Sequence, residues 1–253
     1  MNESGITQWS DLTKSKLLDF KDRLSDALAP SSVRTYLAIL KGVIGRFDEE
    51  VEIPCKNYRE VLRSRNEAPV KTYLDANELS ELERVPLKND TERFCLYRFL
   101  IGAYTGMRYS DICAITPANI QNSQIVYTSI KTGVTASMPC KPIVVDLIQW
   151  LNDRPNMDVT LAGYNKIIRR LCKRAGINTQ VIVHKGGKDK HGEKWQFVSS
   201  HTARISFATN LANADVPVLA VSKLCGHTNL AMTERYIVDK KVKLNEQAME
   251  YFK

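Results

Sequence analysis

Apolar positions recur at helical spacing through most of the chain and alternate at spacing two in one main stretch. Leu17, Leu18, Phe20, Leu24 and Leu28 mark one amphipathic helix, and Val33, Leu37, Leu40, Val43, Ile44 and Phe47 mark a second, with Pro30-Ser31-Ser32 between them. The pattern predicts a helical hairpin. A further helical stretch, Tyr58 to Arg65, runs into Arg63, Arg65, Pro69 and Lys71, a basic and proline-interrupted segment suited to an interdomain linker. The boundary is expected between Glu67 and Thr72, with a helical domain over 1–68 and a larger one over 69–253.

In the second part, Asp75-Ala76-Asn77-Glu78-Leu79 carries the cap and early acid of a helix start, and Phe94 to Tyr104 is an apolar helix stopped by Thr105-Gly106. Arg108 follows that turn directly, and Ser110-Asp111 is read as the capping pair of the next helix, through Ile112 and Ile115. From Ile125 to Cys140 the pattern alternates around Lys131-Thr132-Gly133, which predicts a β-hairpin with Lys131 at its tip. Between Ile177 and Phe197 the glycine-rich, basic run from Val181 to Lys194, flanked by short β-type runs, is expected to be a flexible loop against a DNA backbone. The expected fold is mainly α with a small antiparallel β-sheet.

Composition narrows the class. With 36 Lys+Arg against 28 Asp+Glu the formal net charge is +8, which favours a polyanionic partner without proving one. No apolar run reaches membrane-spanning length, and the N-terminus lacks the apolar stretch of a signal peptide, so a soluble, cytoplasmic protein is expected. Cys55, Cys95, Cys113, Cys140, Cys172 and Cys225 form no Cys-x-x-Cys pair and are expected to be reduced. His184 and His191 have no third ligand at zinc spacing, so no metal site is expected.

The chemistry gathers towards the C-terminus. Ser199 or Ser200 caps a helix on which His201 and Arg204, three residues apart, share a face, while Ile205, Phe207, Ala208 and Leu211 form an apolar one. Pro217 begins a helix through Val218, Val221 and Leu224, which ends at Gly226 and presents His227 beyond it. Thr228 or Asn229 then caps a short helix ending near Tyr236. Taken singly, each residue has an ordinary explanation: a packed histidine or tyrosine, an Arg108–Asp111 salt bridge, a solubilising lysine at a turn. Taken together they read as a phosphate-binding, proton-shuttling set around one phenol, with a phosphodiester as ligand.

The segments Thr105-Gly106-Met107-Arg108-Tyr109-Ser110-Asp111, Lys131-Thr132-Gly133, His201-Thr202-Ala203-Arg204 and Leu224-Cys225-Gly226-His227-Thr228, followed by Tyr236, resemble the active-site boxes of the tyrosine recombinases, the phage integrase family. The likeness runs from about Tyr73 to the C-terminus, and the N-terminal helices resemble the family's core-binding domain. Cys225 departs from it, standing where the family commonly has leucine.

The resemblance implies six catalytic residues: Arg108, Lys131, His201, Arg204, His227 and the nucleophile Tyr236. It implies site-specific recombination of the mobile-element integrase type through a 3′-phosphotyrosyl intermediate, with no cofactor, metal or ATP. The implied partners are double-stranded DNA, clamped between the two domains, further copies of the chain (a tetramer on paired sites and a monomer when free) and DNA-bending accessory proteins. The tail from Lys240 to Lys253, with Val242, Leu244, Ala248, Met249 and Phe252, is expected to pack on a neighbouring protomer or on its own domain. Rival readings are a type IB topoisomerase, a DNA-binding protein of the same fold without exchange activity, and an unrelated helical regulator.

Overall fold

A computed structural model describes residues 4–64, 71–154, 157–226, 229–234 and 236–238. The chain divides into two compact units, residues 1–69 with 184–190 and residues 70–183 with 191–253.

The first unit is built on α1 (Lys14–Ala27), α2 (Pro30–Phe47) and the single turn α3 (Tyr58–Val61). Thr13 caps α1 by accepting the Lys16 backbone N–H, and Pro30 opens α2 at its first position, where its missing N–H costs nothing. The core is narrower than the apolar pattern. Leu17, Val33, Leu37, Leu40 and Ile44 are buried with Ile53, Tyr58 and Leu62, whereas Leu18, Leu28, Val43 and Phe47 remain exposed. Two short helices cannot enclose apolar faces wider than their mutual contact, so a cavity of about 530 Å³ lies open beside Trp9, Phe20, Tyr36 and Ile39. The third helix is shorter than its pattern suggests, because beyond Leu62 the polar Arg63 and Ser64 offer no apolar face to bury.

The second unit is organised around α5 (Asp90–Thr105), whose Phe94, Cys95, Leu96, Phe99, Leu100, Ile101 and Ala103 are all buried. A helix with buried apolar residues spread over most of its circumference belongs at the centre of a core. Packed round it are α4 (Ala76–Glu83), α6 (Tyr109–Ala114), α7 (Pro142–Asn152), α8 (Leu161–Arg174) and α10 (Ser200–Asn213). Two of these, α7 and α8, lie in a stretch given no element by the sequence pattern above. One ion cluster secures this core: the buried Glu92 carboxylate accepts Arg174 in bidentate fashion at 2.7 and 3.0 Å and Arg170 at 3.1 Å.

Against the helices lies a three-stranded antiparallel sheet of β1 (Ile120–Gln121), β2 (Gln124–Thr128) and β3 (Thr135–Pro139) in the order β1-β2-β3. Ile125 pairs with Met138 and Tyr127 with Ala136, so alternate side chains are buried, as the alternating pattern requires. The stretch read as a flexible loop is instead a two-stranded sheet, β4 (Gln180–Lys185) and β5 (Lys188–Glu193). Its turn explains the difference. Gly186 and Gly187 take φ of +67° and +75°, the backbone that a tight two-residue connection demands, and Val181-Ile182-Val183 supplies strand-forming residues. The short helices α9 (Lys194–Phe197), α11 (Val218–Leu224) and α12 (Leu230–Glu234) complete the described α-helices. Among the described residues no helix is long and apolar enough to cross a membrane.

Candidate active site

The site is assembled on α10. Ser199 is its N-cap, in a reciprocal box with Thr202, so the first turn carrying His201 and Arg204 is fixed. The helix lies very close to α5. A Cβ added at Gly102 would stand 3.0 Å from the Ala203 Cβ, and one at Gly106, whose φ is +68°, would stand 2.4 Å from the Phe207 ring. Glycine at 106 thus serves both the left-handed end of α5 and the approach of α10.

That approach carries Arg204 to its partners. The side chain is only 1% exposed, and its guanidinium donates from Nη1 to the Gly106 carbonyl at 2.5 Å and from Nη2 to the Cys225 carbonyl at 2.7 Å. One arginine therefore ties α10 to the turn after α5 and to the end of α11. It also lies 5.5 Å from the centre of the Tyr236 ring. Cys225 contributes its backbone oxygen, while its buried side chain packs with Phe207, Ala208 and Val221 as a small apolar group.

Tyr236 is held by its own backbone. Its N–H donates to the Thr233 carbonyl at 2.8 Å, and its carbonyl accepts the Thr209 hydroxyl at 3.0 Å. The same hydroxyl accepts the Val238 N–H at 3.2 Å. Asn229, one of the two expected caps of α12, accepts the Ala231 N–H at 2.9 Å. The His201 and Tyr236 rings stand 5.1 Å apart.

A buried acid ties Arg108 to the turn that bears Lys131. Arg108 donates to the Ser129 hydroxyl at 2.9 Å, Ser129 donates to Asp111 Oδ2 at 3.1 Å, and Asp111 Oδ1 accepts the Ile130 N–H at 3.0 Å. The expected capping role of Asp111 is thereby corrected. No side chain caps α6, whose N-cap is Arg108, and the Asp111 carboxylate is used by the turn after β2 instead. Lys131 is exposed on that turn, immediately beyond Ser129 and Ile130.

The electrostatics connect these groups. The His201 imidazole is pulled down to about 4, first by burial against the surrounding protein and then by the positive charges of Lys71, Arg204, Arg108 and Lys131. The residue is nonetheless exposed to solvent, and the charges that act on it are those of these four cations. Such a cluster, beside one imidazole and one phenol, has the makings of an anion site with a proton acceptor.

Five of the six expected residues are accounted for, and four of them meet here; Lys131 contributes through its charge from the exposed turn. His227 lies outside the described residues, as do Thr228 and the tail from Lys240 to Lys253. Sequence reasoning missed three contributors. Lys71 was assigned to a linker, Asp111 to a cap, and Thr209 to no role. Only Asp111 carries a local signal: besides a cap, the sequence offers it as a salt-bridge partner of Arg108, and its Oδ2 stands 4.0 Å from Arg108 Nη1. His184, weighed as a metal ligand, pairs through Nδ1 with Asp189 at 2.8 Å.

Residues 72–242 match the model of the phage integrase family. Tyrosine recombinase XerC from Roseiflexus sp. (strain RS-1) is 23% identical over 248 residues, covering 90% of this chain and 75% of that protein. Among solved structures, XerH site-specific recombinase bound to palindromic difH substrate in a post-cleavage complex superposes with a TM-score of 0.68 at 18% identity, covering 95% of this chain and 73% of that one. The Tn1549 transposon integrase in complex with a circular intermediate DNA gives 0.67 at 17% identity, covering 95% and 85%. With a family match over most of its length and the family's fold around its cation-lined phenol, this chain belongs to the phage integrase family of tyrosine recombinases.

Proposed function

We propose that this protein is a site-specific DNA recombinase that cuts and rejoins strands through a covalent bond between Tyr236 and a DNA 3′-phosphate. The observation that carries the reading is the gathering of Lys71, Arg204 and His201 around the Tyr236 ring, at 4.7, 5.5 and 5.1 Å from its centre.

The chemistry follows from these groups. A phenol with an ordinary pKa of about 10 is a weak nucleophile near neutral pH, so its proton has to be taken as the oxygen attacks phosphorus. His201, held neutral first by burial and then by the neighbouring cations, accepts that proton. The new Tyr Oη–P bond forms as the bond to the 5′-oxygen breaks. Lys131 supplies a proton to the departing 5′-oxygen. Arg108 and Arg204 bind the non-bridging oxygens, whose charge grows in the transition state, and their fixed forks suit that task. His227 adds a hydrogen bond to the same oxygens.

One phosphodiester is exchanged for one phosphotyrosyl ester, so a 5′-hydroxyl from a second duplex reverses the step and completes strand exchange. The XerH and Tn1549 proteins, whose solved complexes contain DNA, support duplex DNA as the substrate. The N-terminal domain expected over residues 1–68 is read as the core-binding module that with 69–253 grips the duplex through its phosphates, in copies assembled on paired sites. The test is incubation with duplexes nicked near the exchange point. A protein–DNA adduct that survives denaturation and is absent from Tyr236→Phe supports the reading; no adduct on any cleavable site overturns it.

A further inference from the structure

Lys71 lies outside the set of six residues, yet it is built into the same site. Its ammonium stands 4.7 Å from the centre of the Tyr236 ring, nearer than the Arg204 guanidinium at 5.5 Å. Among the charges that act on His201 it is the largest. The backbone just beyond it is pinned to α10: the Leu74 N–H donates to Ser206 Oγ at 2.9 Å, and the Leu74 carbonyl accepts the Asn210 amide at 3.0 Å. Thr72 is buried as well. The helix that bears His201 and Arg204, and whose Thr209 holds the Tyr236 backbone, thus also fixes the segment bearing Lys71.

Resting on the reading of Tyr236 as nucleophile, we propose that Lys71 is a positioning residue for strand cleavage, its cation seating the Tyr236 ring within the chain's own active site. A cation over an aromatic face is attracted by the ring's negative quadrupole, and the attraction strengthens where water is partly excluded. Two cations within 5.5 Å of the ring centre, with the His201 ring 5.1 Å away, favour the orientation the ring holds.

The experiment measures covalent adduct formation on a nicked duplex at saturating DNA, together with duplex affinity, for the wild type, Lys71→Met and Lys71→Arg. Methionine keeps the length of the side chain and removes its charge; arginine keeps the charge. The expected result is a maximal cleavage rate lowered about tenfold in Lys71→Met, with affinity within about twofold, and a rate within about threefold of wild type in Lys71→Arg. A wild-type rate in Lys71→Met overturns the proposal. Equal loss in both variants overturns it too, since it points to packing rather than charge. A deficit in Lys71→Met that vanishes at saturating DNA overturns it in favour of a phosphate contact. A wild-type protein that forms no adduct, or one that forms it without Tyr236, refutes the underlying function instead.

Discussion

Asp111 accepts the Ser129 hydroxyl at 3.1 Å from a carboxylate buried to 3% exposure, and this contact makes the Lys131 turn part of the same rigid body as Arg108. The carboxylate satisfies the Ile130 N–H as well, and Ser129 in turn accepts from Arg108. A lysine on an exposed turn has little to hold its base in place. Here two consecutive residues before it are anchored to the core.

Asp111→Asn therefore weakens cleavage more than DNA binding. Replacing a charged acceptor in a buried network costs roughly 1.5–3 kcal/mol, and an asparagine amide presents a donor to one of two donors. The expected fall in maximal cleavage rate is about 10- to 100-fold with duplex affinity nearly unchanged. Quench-flow or gel kinetics on a nicked duplex, beside filter binding, measure both. An unchanged rate with lowered thermal stability shows instead that the carboxylate serves folding alone.

Lys131 is assigned the proton for the 5′-oxygen, and a leaving group that needs no proton isolates that role. On a duplex with a bridging 5′-sulfur at the cleavage point, Lys131→Ala is expected to cleave at close to the wild-type rate, while on the ordinary phosphodiester it is slower by roughly 100- to 10,000-fold, the usual contribution of a general acid. Equal impairment on both substrates removes the acid role.

His201 offers a pH test. Its imidazole is held down to about 4 where an ordinary histidine titrates near 6.5. The unfolded chain therefore takes up this proton more readily than the folded one, so this group lowers stability as pH falls from 6.5 towards 4 and adds no further loss below that. In the DNA-free protein, NMR titration of the His201 ring is expected to show a midpoint well below 6, moving upward in Lys71→Met as one cation is withdrawn. A midpoint near 6.5 in the wild type contradicts the cationic cluster.

Glu92 acts in the same direction over a lower pH window. Its carboxyl is lowered to about 2 from 4.5, first by the hydrogen bonds from Arg174, so its contribution is complete above pH 4.5 and lost as pH falls towards 2. At 1.36 kcal/mol per pH unit the difference amounts to roughly 3 kcal/mol. Urea denaturation between pH 6 and 3 is expected to show a falling midpoint in the wild type and a flatter one in Glu92→Gln, which is less stable at pH 6. Parallel curves contradict the assignment.

Much of this was legible in the chain. The apolar run from Phe94 to Tyr104 names the central helix, and the alternation around Lys131 names the hairpin, because both periodicities are direct consequences of what each element buries. The order of Arg108, Lys131, His201, Arg204 and Tyr236 identified the site through motifs rather than periodicity. What the sequence concealed is tertiary. Nothing local distinguishes an Asp111 that caps its own helix from one that reaches a distant turn, since a carboxylate suits both. Lys71 reads as a linker charge until Leu74 is seen bonded to Ser206 and Asn210. Exposed Val43 and Phe47 carry the same signal as buried Leu40 and Ile44, and only the width of the partner helix separates them.

The central claim is that the Tyr236 oxygen becomes bonded to phosphorus within this cationic cleft. The most direct measurement is mass spectrometry of the nuclease-trimmed, protease-digested adduct from a nicked duplex labelled on either side of the cut. The account predicts one modified peptide, carrying Tyr236 joined to the nucleotide on the 3′-phosphate side, with the opposing strand ending in a free 5′-hydroxyl. A modification on any other residue, or a 5′-phosphate linkage, contradicts it.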